Sequence, residues 1–184
     1  MMTYISILRG INVSGQKIIA MDALRKMYEY LGFRNVQTYI QSGNVIFQDD
    51  RYESYELTTK ISNQILNQFG FQVPVIVLTV ETLERIITNN PFKNEQSKDA
   101  RYLHVTFLAS RPVMVDCVDI LMRKSDDEDV AITEEALYLY CPNGYGKTKL
   151  TNSFIEAKLN VVATTRNWKT TNELLKISQK EVVG

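Results

Sequence analysis

Two kinds of hydrophobic spacing alternate along this chain, and their order limits the fold more than any other feature. In the first half, strand-sized runs and helical stripes follow the order strand, helix, strand, strand, helix, strand. The two helical stripes are Met21, Leu24, Met27 and Leu31, then Leu57, Ile61, Ile65 and Phe69. The predicted strands cover residues 3–9, 36–40, 45–48 and 73–80. This order is the split β-α-β arrangement of ferredoxin-like folds.

The pattern begins again after a polar stretch without periodicity. In the second half we predict strand, helix, strand, strand and helix, at 102–109, 112–122, 130–133, 136–141 and about 150–157, with a last helix at 170–179. We therefore predict an α+β fold with two ferredoxin-like (βαββαβ-type) subdomains and an additional C-terminal helix. The subdomains are expected at residues 1–90 and 102–184, with a linker at 91–101. A single irregular α+β domain is the alternative.

Composition indicates a globular protein that needs no cross-links. The chain has 184 residues, of which 45% are apolar and 23% charged, and it contains only two cysteines. No secretory signal pattern is visible, and no apolar run approaches the ~20 residues of a membrane helix. We expect a soluble, cytoplasmic protein with reduced thiols and no membrane association.

Charge is distributed unevenly although the formal net charge is zero. Residues 81–140 carry seven basic and twelve acidic side chains, whereas residues 141–184 carry seven basic and three acidic ones. This asymmetry predicts a local face that attracts anions, located in the last quarter of the chain.

Several kinds of chemistry lack the residues they require. His104 is the only histidine and lies on a predicted strand, where a structural role is the simpler interpretation. A zinc site would need several Cys or His ligands. The acidic run 126–129 could hold Mg²⁺, but a solvated turn explains it better. We predict no metal and no cofactor, and we assign no catalytic residue.

The strongest local signal is a strand followed by a glycine loop, Gly144-Tyr145-Gly146-Lys147-Thr148-Lys149, and a predicted helix. Backbone N–H groups at such a junction can cradle a phosphate. The segment is not a P-loop, because Cys141 stands where the first glycine would be required. The alternative is a structural turn in which Thr148 caps the helix.

Two further segments carry candidate ligand-binding residues. Arg166 and Trp168 lie between the last two predicted helices, where arginine could pair with phosphate and tryptophan could stack on a base or anchor the final helix. Arg9, Asn12 and Lys17 lie in the loop after the first strand. The turn at residues 41–44 would matter only if it lay beside this loop. The complete predicted site is Arg9, Asn12, Lys17, Gly144, Tyr145, Gly146, Lys147, Lys149, Arg166 and Trp168.

Five segments in the same order resemble the bacterial family called domain of unknown function 1697. They are Leu8–Val13, Tyr39–Val45, Asn90–Phe92, Gly144–Asn152 and Thr164–Trp168, and the resemblance extends from about Thr3 to Gln179. It implies a two-subdomain α+β fold with ferredoxin-like halves and no established activity. Ser14 stands where the family often has glycine, and Ala20 where it often has proline.

Three functions remain open from the sequence. The first is a module that binds a phosphate-bearing ligand, either a nucleotide or a nucleic acid, in a cleft formed by the glycine-containing loops. The second is an enzyme acting on a small phosphorylated or carboxylated metabolite, with Tyr145 or Lys147 as the first candidates for acid–base work. The third is a non-catalytic module that forms homo-oligomers through exposed sheet edges.

Overall fold

The computed structural model describes residues 1–112 and 117–183. The chain divides into two compact units. The first comprises Met1–Glu84 and the last residues from Leu174 onward, and the second comprises Arg85–Glu173. The predicted boundaries at residues 90 and 102 and the linker between them stay predictions.

The first unit contains one antiparallel sheet of four strands. Its elements are β1 (Met2–Leu8), α1 (Met21–Tyr30), β2 (Arg34–Tyr39), β3 (Asn44–Asp49), α2 (Ser54–Phe69) and β4 (Val75–Thr79), followed by α3 (Val80–Thr88). The strand order is β2-β3-β1-β4, so the first and third strands are central. The βαββαβ order predicted from hydrophobic spacing is confirmed here.

The second unit repeats this topology with strand order β6-β7-β5-β8. Its elements are β5 (Leu103–Leu108), α4 (Cys117–Arg123), β6 (Asp129–Ile132), β7 (Ala136–Tyr140), α5 (Asn152–Leu159) and β8 (Ala163–Asn167). The last helix, α6 (Trp168–Val183), begins in this unit, and its residues from Leu174 belong to the first. The α+β fold with two ferredoxin-like subdomains and a C-terminal helix is confirmed. Part of the helix predicted at 112–122 lies outside the described residues, since 113–116 are not among them.

One element of the second unit was assigned wrongly from the sequence. The sequence predicts a connection between helices at 163–167, but this segment forms β8 and pairs antiparallel with β5. The final helix accordingly begins at Trp168, earlier than the predicted residue 170. The second half is therefore a complete βαββαβ unit.

Each unit has a core between its sheet and its helices. In the first unit, the predicted stripes of α1 and α2 contact apolar residues of the sheet such as Leu8 and Phe47. A hydroxyl pair lies within this core, with Ser6 Oγ 2.7 Å from the Tyr28 hydroxyl. In the second unit, Ile120 of α4 and Ile155 of α5 pack on the sheet. No helix in the described ranges is long and apolar enough to cross a membrane.

Candidate functional site

Asn12 organises the loop that follows β1. Its side-chain amide donates to the carbonyl oxygens of Ile19, at 2.9 Å, and Gln41, at 3.0 Å. Its Oδ1 accepts a hydrogen bond from the backbone N–H of Ile19 at 2.9 Å. Asn12 thus ties both ends of the loop together and joins the loop to the turn at residues 41–44.

The turn at residues 41–44 was expected to matter only if it lay beside the loop after β1, and it does lie there. Leu8 donates its backbone N–H to the Gly43 carbonyl at 2.8 Å. A Cβ at Gly43 would lie 2.7 Å from Ile11 Cδ1, so only glycine fits this contact. The close packing explains why a glycine stands in the turn.

The two basic residues of this loop have different surroundings. Lys17 is exposed, and its ammonium donates to the Gln72 carbonyl at 2.7 Å. Arg9 is partly exposed, and its backbone N–H donates to the Pro74 carbonyl at 3.0 Å. Lys17 therefore joins this loop to the segment that precedes β4. Ligand binding by Arg9, Asn12 and Lys17 stays a prediction.

In the second unit, the glycine loop has a different shape from the predicted one. Residues Tyr145–Lys147 form a single 3-10 turn, preceded by Gly144 with φ of 92°. Helix α5 begins only at Asn152, and Thr151 caps it by accepting from the Phe154 N–H. The prediction of a helix N-terminus beside the two lysines is therefore wrong. The alternative, in which Thr148 caps the helix, is wrong as well. A phosphate cradle in the sense of a helix start at Thr148 is not formed.

The loop instead displays its charged side chains around one buried threonine. Thr148 is buried, and its hydroxyl accepts a hydrogen bond from the Leu150 N–H at 3.1 Å. Lys147 and Lys149 on either side of it are exposed, as is Gly146. No atom would lie within 4 Å of a Cβ at Gly146, so packing does not require a glycine there.

Tyr145 stacks on His104, which is a contact that the sequence did not predict. Their ring centroids are 5.0 Å apart with an angle of 26° between the planes. Burial lowers the pKa of His104, and its Nδ1, which lies 3.2 Å from the Tyr102 carbonyl, opposes this shift. The imidazole is consequently neutral at pH 7, and both rings are partly exposed.

Arg166 lies on β8, opposite Val105 of β5. Its Nη1 donates to the Thr165 carbonyl at 3.0 Å. Burial lowers the pKa of Arg166 to about 10, and the nearby Tyr145 hydroxyl opposes this shift. The guanidinium remains charged at neutral pH, and its partial burial reduces screening by water.

A chain of side-chain hydrogen bonds supports the strand that carries Arg166. The Thr165 hydroxyl donates a hydrogen bond to Asn152 Oδ1 at 2.7 Å, and its oxygen lies 2.7 Å from Thr106 Oγ1. Thr106 belongs to β5, Thr165 to β8, and Asn152 is the first residue of α5. The network joins three elements directly beside Arg166.

Trp168 is half-buried at the first position of α6. The residue before it, Asn167, accepts a hydrogen bond from the Thr170 N–H at 2.7 Å through its Oδ1. Asn167 is also paired with His104 across β5 and β8. Trp168 therefore follows directly on the strand end next to the stacked rings.

The structure brings part of the predicted site together. Tyr145 and Arg166 are neighbours in the second unit, and Lys147 belongs to the same turn as Tyr145. Arg9, Asn12 and Lys17 belong to the first unit. The sequence did not predict the stacking of His104 on Tyr145 or the Thr106–Thr165–Asn152 network. The stack joins β5 to the loop after β7, and the network depends on the pairing of β8 with β5, so no local signal indicated either.

The fold and these loops define an α+β protein of two ferredoxin-like units with a polar cluster in the second. A family described as "Protein of unknown function (DUF1697)" has a model that matches residues 1–138, and the chain belongs to this family. The family resemblance noted in the sequence is thereby confirmed. No curated protein matched the chain.

A similar solved structure is that of the conserved bacterial protein SP0830 from Streptococcus pneumoniae. The two chains are 22% identical, with a TM-score of 0.68, and the match covers 95% of this chain and 97% of that one. At this identity the likeness concerns the fold alone, and it agrees with the architecture described above.

Proposed function

We propose that the second unit binds a phosphate-bearing ligand at Tyr145, Lys147 and Arg166. The observation that carries the proposal is the position of Arg166, a partly buried cation beside a tyrosine that is itself stacked on His104. A guanidinium presents paired N–H donors that match phosphate oxygens. Exposed Lys147, in the same turn as Tyr145, adds a second positive charge to the same ligand.

The supporting network gives Arg166 a defined position. The Thr165 carbonyl that accepts from Arg166 belongs to the residue whose hydroxyl is bound to Thr106 and Asn152. A side chain held in this way loses less conformational entropy when it binds a ligand. Lys149, Gly144, Gly146 and Trp168 are further candidates at the rim of this site.

The proposal is tested by isothermal titration calorimetry, in which inorganic phosphate or a nucleoside monophosphate is titrated into the purified protein. Hydrogen bonds to charged groups contribute about 1.5–3 kcal/mol each, so Arg166→Gln should weaken phosphate binding by about tenfold or more. Lys147→Ala should weaken it less, because the ammonium is exposed. Binding should also weaken as salt is increased.

Arg101→Gln is the matched control, because Arg101 is an exposed arginine of the same unit that already pairs with Asp99 at 2.6 Å. It should change affinity by less than twofold. Circular dichroism of each variant checks that the fold is kept. The proposal fails if the wild-type protein binds neither phosphate nor any nucleotide, or if a folded Arg166→Gln variant binds as well as the wild type.

The enzymatic hypothesis uses the same residues. Tyr145 or Lys147 would then move a proton at a bound metabolite. Turnover of a ligand that binds at this site, lost in Tyr145→Phe, is the result that would favour it.

A further inference from the structure

The acidic turn at residues 126–129 borders the proposed phosphate site, and it narrows the ligand class on the condition that the proposed function holds. Asn143 donates through Nδ2 to the Asp127 carboxylate, which places this turn directly beside the residue that precedes Gly144. Asp126 and Asp127 are both exposed. Two solvated carboxylates therefore lie next to the loop that carries Lys147.

The carboxylates of the acidic turn also act on Cys141, the residue that joins β7 to the loop. Burial raises the pKa of the Cys141 thiol to about 12, and the charges of Glu128 and Asp127 add to this increase. Two cations offset part of this charge, since Lys98 pairs with Asp129 at 2.8 Å and the Lys124 ammonium donates to the Glu128 carbonyl at 2.7 Å. The four carboxylates at 126–129 still outnumber these two ammonium groups, so the turn keeps a net negative charge.

A polyanion that continued from Lys147 along the loop toward Asn143 would pass the Asp127 carboxylate. The Debye length at physiological ionic strength is about 8 Å, so charges on adjoining loops repel a passing phosphate without full screening. Each further phosphate of a nucleic-acid strand would add to this repulsion. A ligand with phosphate at one end only can avoid it.

Tyr145, which follows Gly144, stacks on His104, and both aromatic rings are partly exposed. Stacking of a base on an aromatic side chain is sequence-tolerant and contributes about 1–3 kcal/mol. His104 is neutral at pH 7 because burial lowers its pKa, so its ring adds no charge of its own.

We propose that the site takes a single nucleotide rather than a nucleic-acid strand. Its base stacks at Tyr145, its phosphate pairs with Arg166 and Lys147, and the carboxylates of Asp126 and Asp127 exclude a continuing polynucleotide.

The test compares affinities for inorganic phosphate, a nucleoside monophosphate and single-stranded octanucleotides of the same base. The wild-type protein should bind the monophosphate more tightly than phosphate and more tightly than the octanucleotide. Tyr145→Leu should lower affinity for the monophosphate by about fivefold or more, as expected from the stacking energy, and by a larger factor than it lowers affinity for phosphate. Tyr55→Leu, at an exposed tyrosine of the first unit, is the control.

The double variant Asp126→Asn and Asp127→Asn tests the exclusion directly. It should increase affinity for the octanucleotide several-fold while the monophosphate affinity changes by less than twofold. Asp50→Asn, at an exposed carboxylate of the first unit, should change neither.

Each outcome has a separate meaning. If the wild-type protein binds the octanucleotide most tightly, or binds phosphate as tightly as the monophosphate, the inference is overturned while the proposed function stands. If neither phosphate nor nucleotide binds, the proposed function itself fails.

Discussion

Gly43 shows how a single residue joins two loops of the first unit. Its φ is +79°, and a Cβ there would lie 2.7 Å from Ile11 Cδ1 and 2.8 Å from Leu8 Cβ. Gly43→Ala should therefore add a clash to backbone strain and lower the free energy of unfolding by about 2–4 kcal/mol. Urea denaturation measures the loss.

The Gly10→Ala variant separates the cost of backbone strain from the cost of a steric clash. Gly10 has a similar φ of +75°, yet no atom would lie within 4 Å of its Cβ. Only the backbone cost of about 1–2 kcal/mol should remain. Equal losses in the two variants would contradict the assigned role of the Gly43 contact.

His104 makes stability depend on pH. Burial lowers its pKa below the ordinary value of 6.5, so the unfolded chain binds a proton more readily than the folded one. The contribution is complete above pH 6.5 and is lost as the pH falls below 6.5 toward the folded pKa. His104→Gln should flatten this part of the stability profile.

Thermal unfolding between pH 5 and 8 measures the effect, with the wild-type protein and the variant compared at each pH. A variant that keeps the full wild-type slope would show that other groups cause it. The same variant reports on the aromatic stack, because it removes one of the two rings.

At the scale of elements, β8 explains the incomplete sequence assignment. Its residues are Ala163, Thr164, Thr165, Arg166 and Asn167, and only one is apolar, so no alternation was visible. Pairing with β5 holds the strand in place, with Thr165 opposite Thr106 and Arg166 opposite Val105. β-Branched threonine suits such a position, but this preference depends on context.

The junction between β8 and α6 carries a prediction of its own. Asn167 ends the strand, and its Oδ1 accepts from the Thr170 N–H at 2.7 Å, as an N-cap does. Asn167→Ala should lower the free energy of unfolding by about 0.5–2 kcal/mol. Asn167→Asp keeps the acceptor oxygen and should retain most of the stability in the same denaturation experiment. If both variants unfold alike, the cap contributes nothing.

The glycine loop illustrates a different limit of sequence reasoning. The strand before the two glycines and the Lys-Thr pair was predicted correctly. The start of the helix after them was predicted too early in the chain. Thr151 and Asn152 outcompete Thr148, because Thr148 is buried and its hydroxyl serves the Leu150 N–H. Cap choice thus depended on burial, which the local sequence did not reveal.

At the scale of the whole molecule, self-association through sheet edges stays a hypothesis with a direct test. The edge strand β2 has a register shift between Arg34 and Gln37, and Asn35 within it has φ of +49°. Such irregularities discourage edge pairing. We expect light scattering to give the monomer mass of 21.2 kDa. A concentration-dependent dimer would instead support the hypothesis of self-association.

The fold class was predictable from the amino-acid sequence because hydrophobic spacing is a local property. The stripe of α2, from Leu57 to Phe69, and the run of β1 required no knowledge of distant residues. The contact between His104 and Tyr145, the identity of β8 and the position of Arg166 all join residues about 40 to 60 positions apart. They exist only once the second sheet has formed, since strand pairing and burial bring those side chains together.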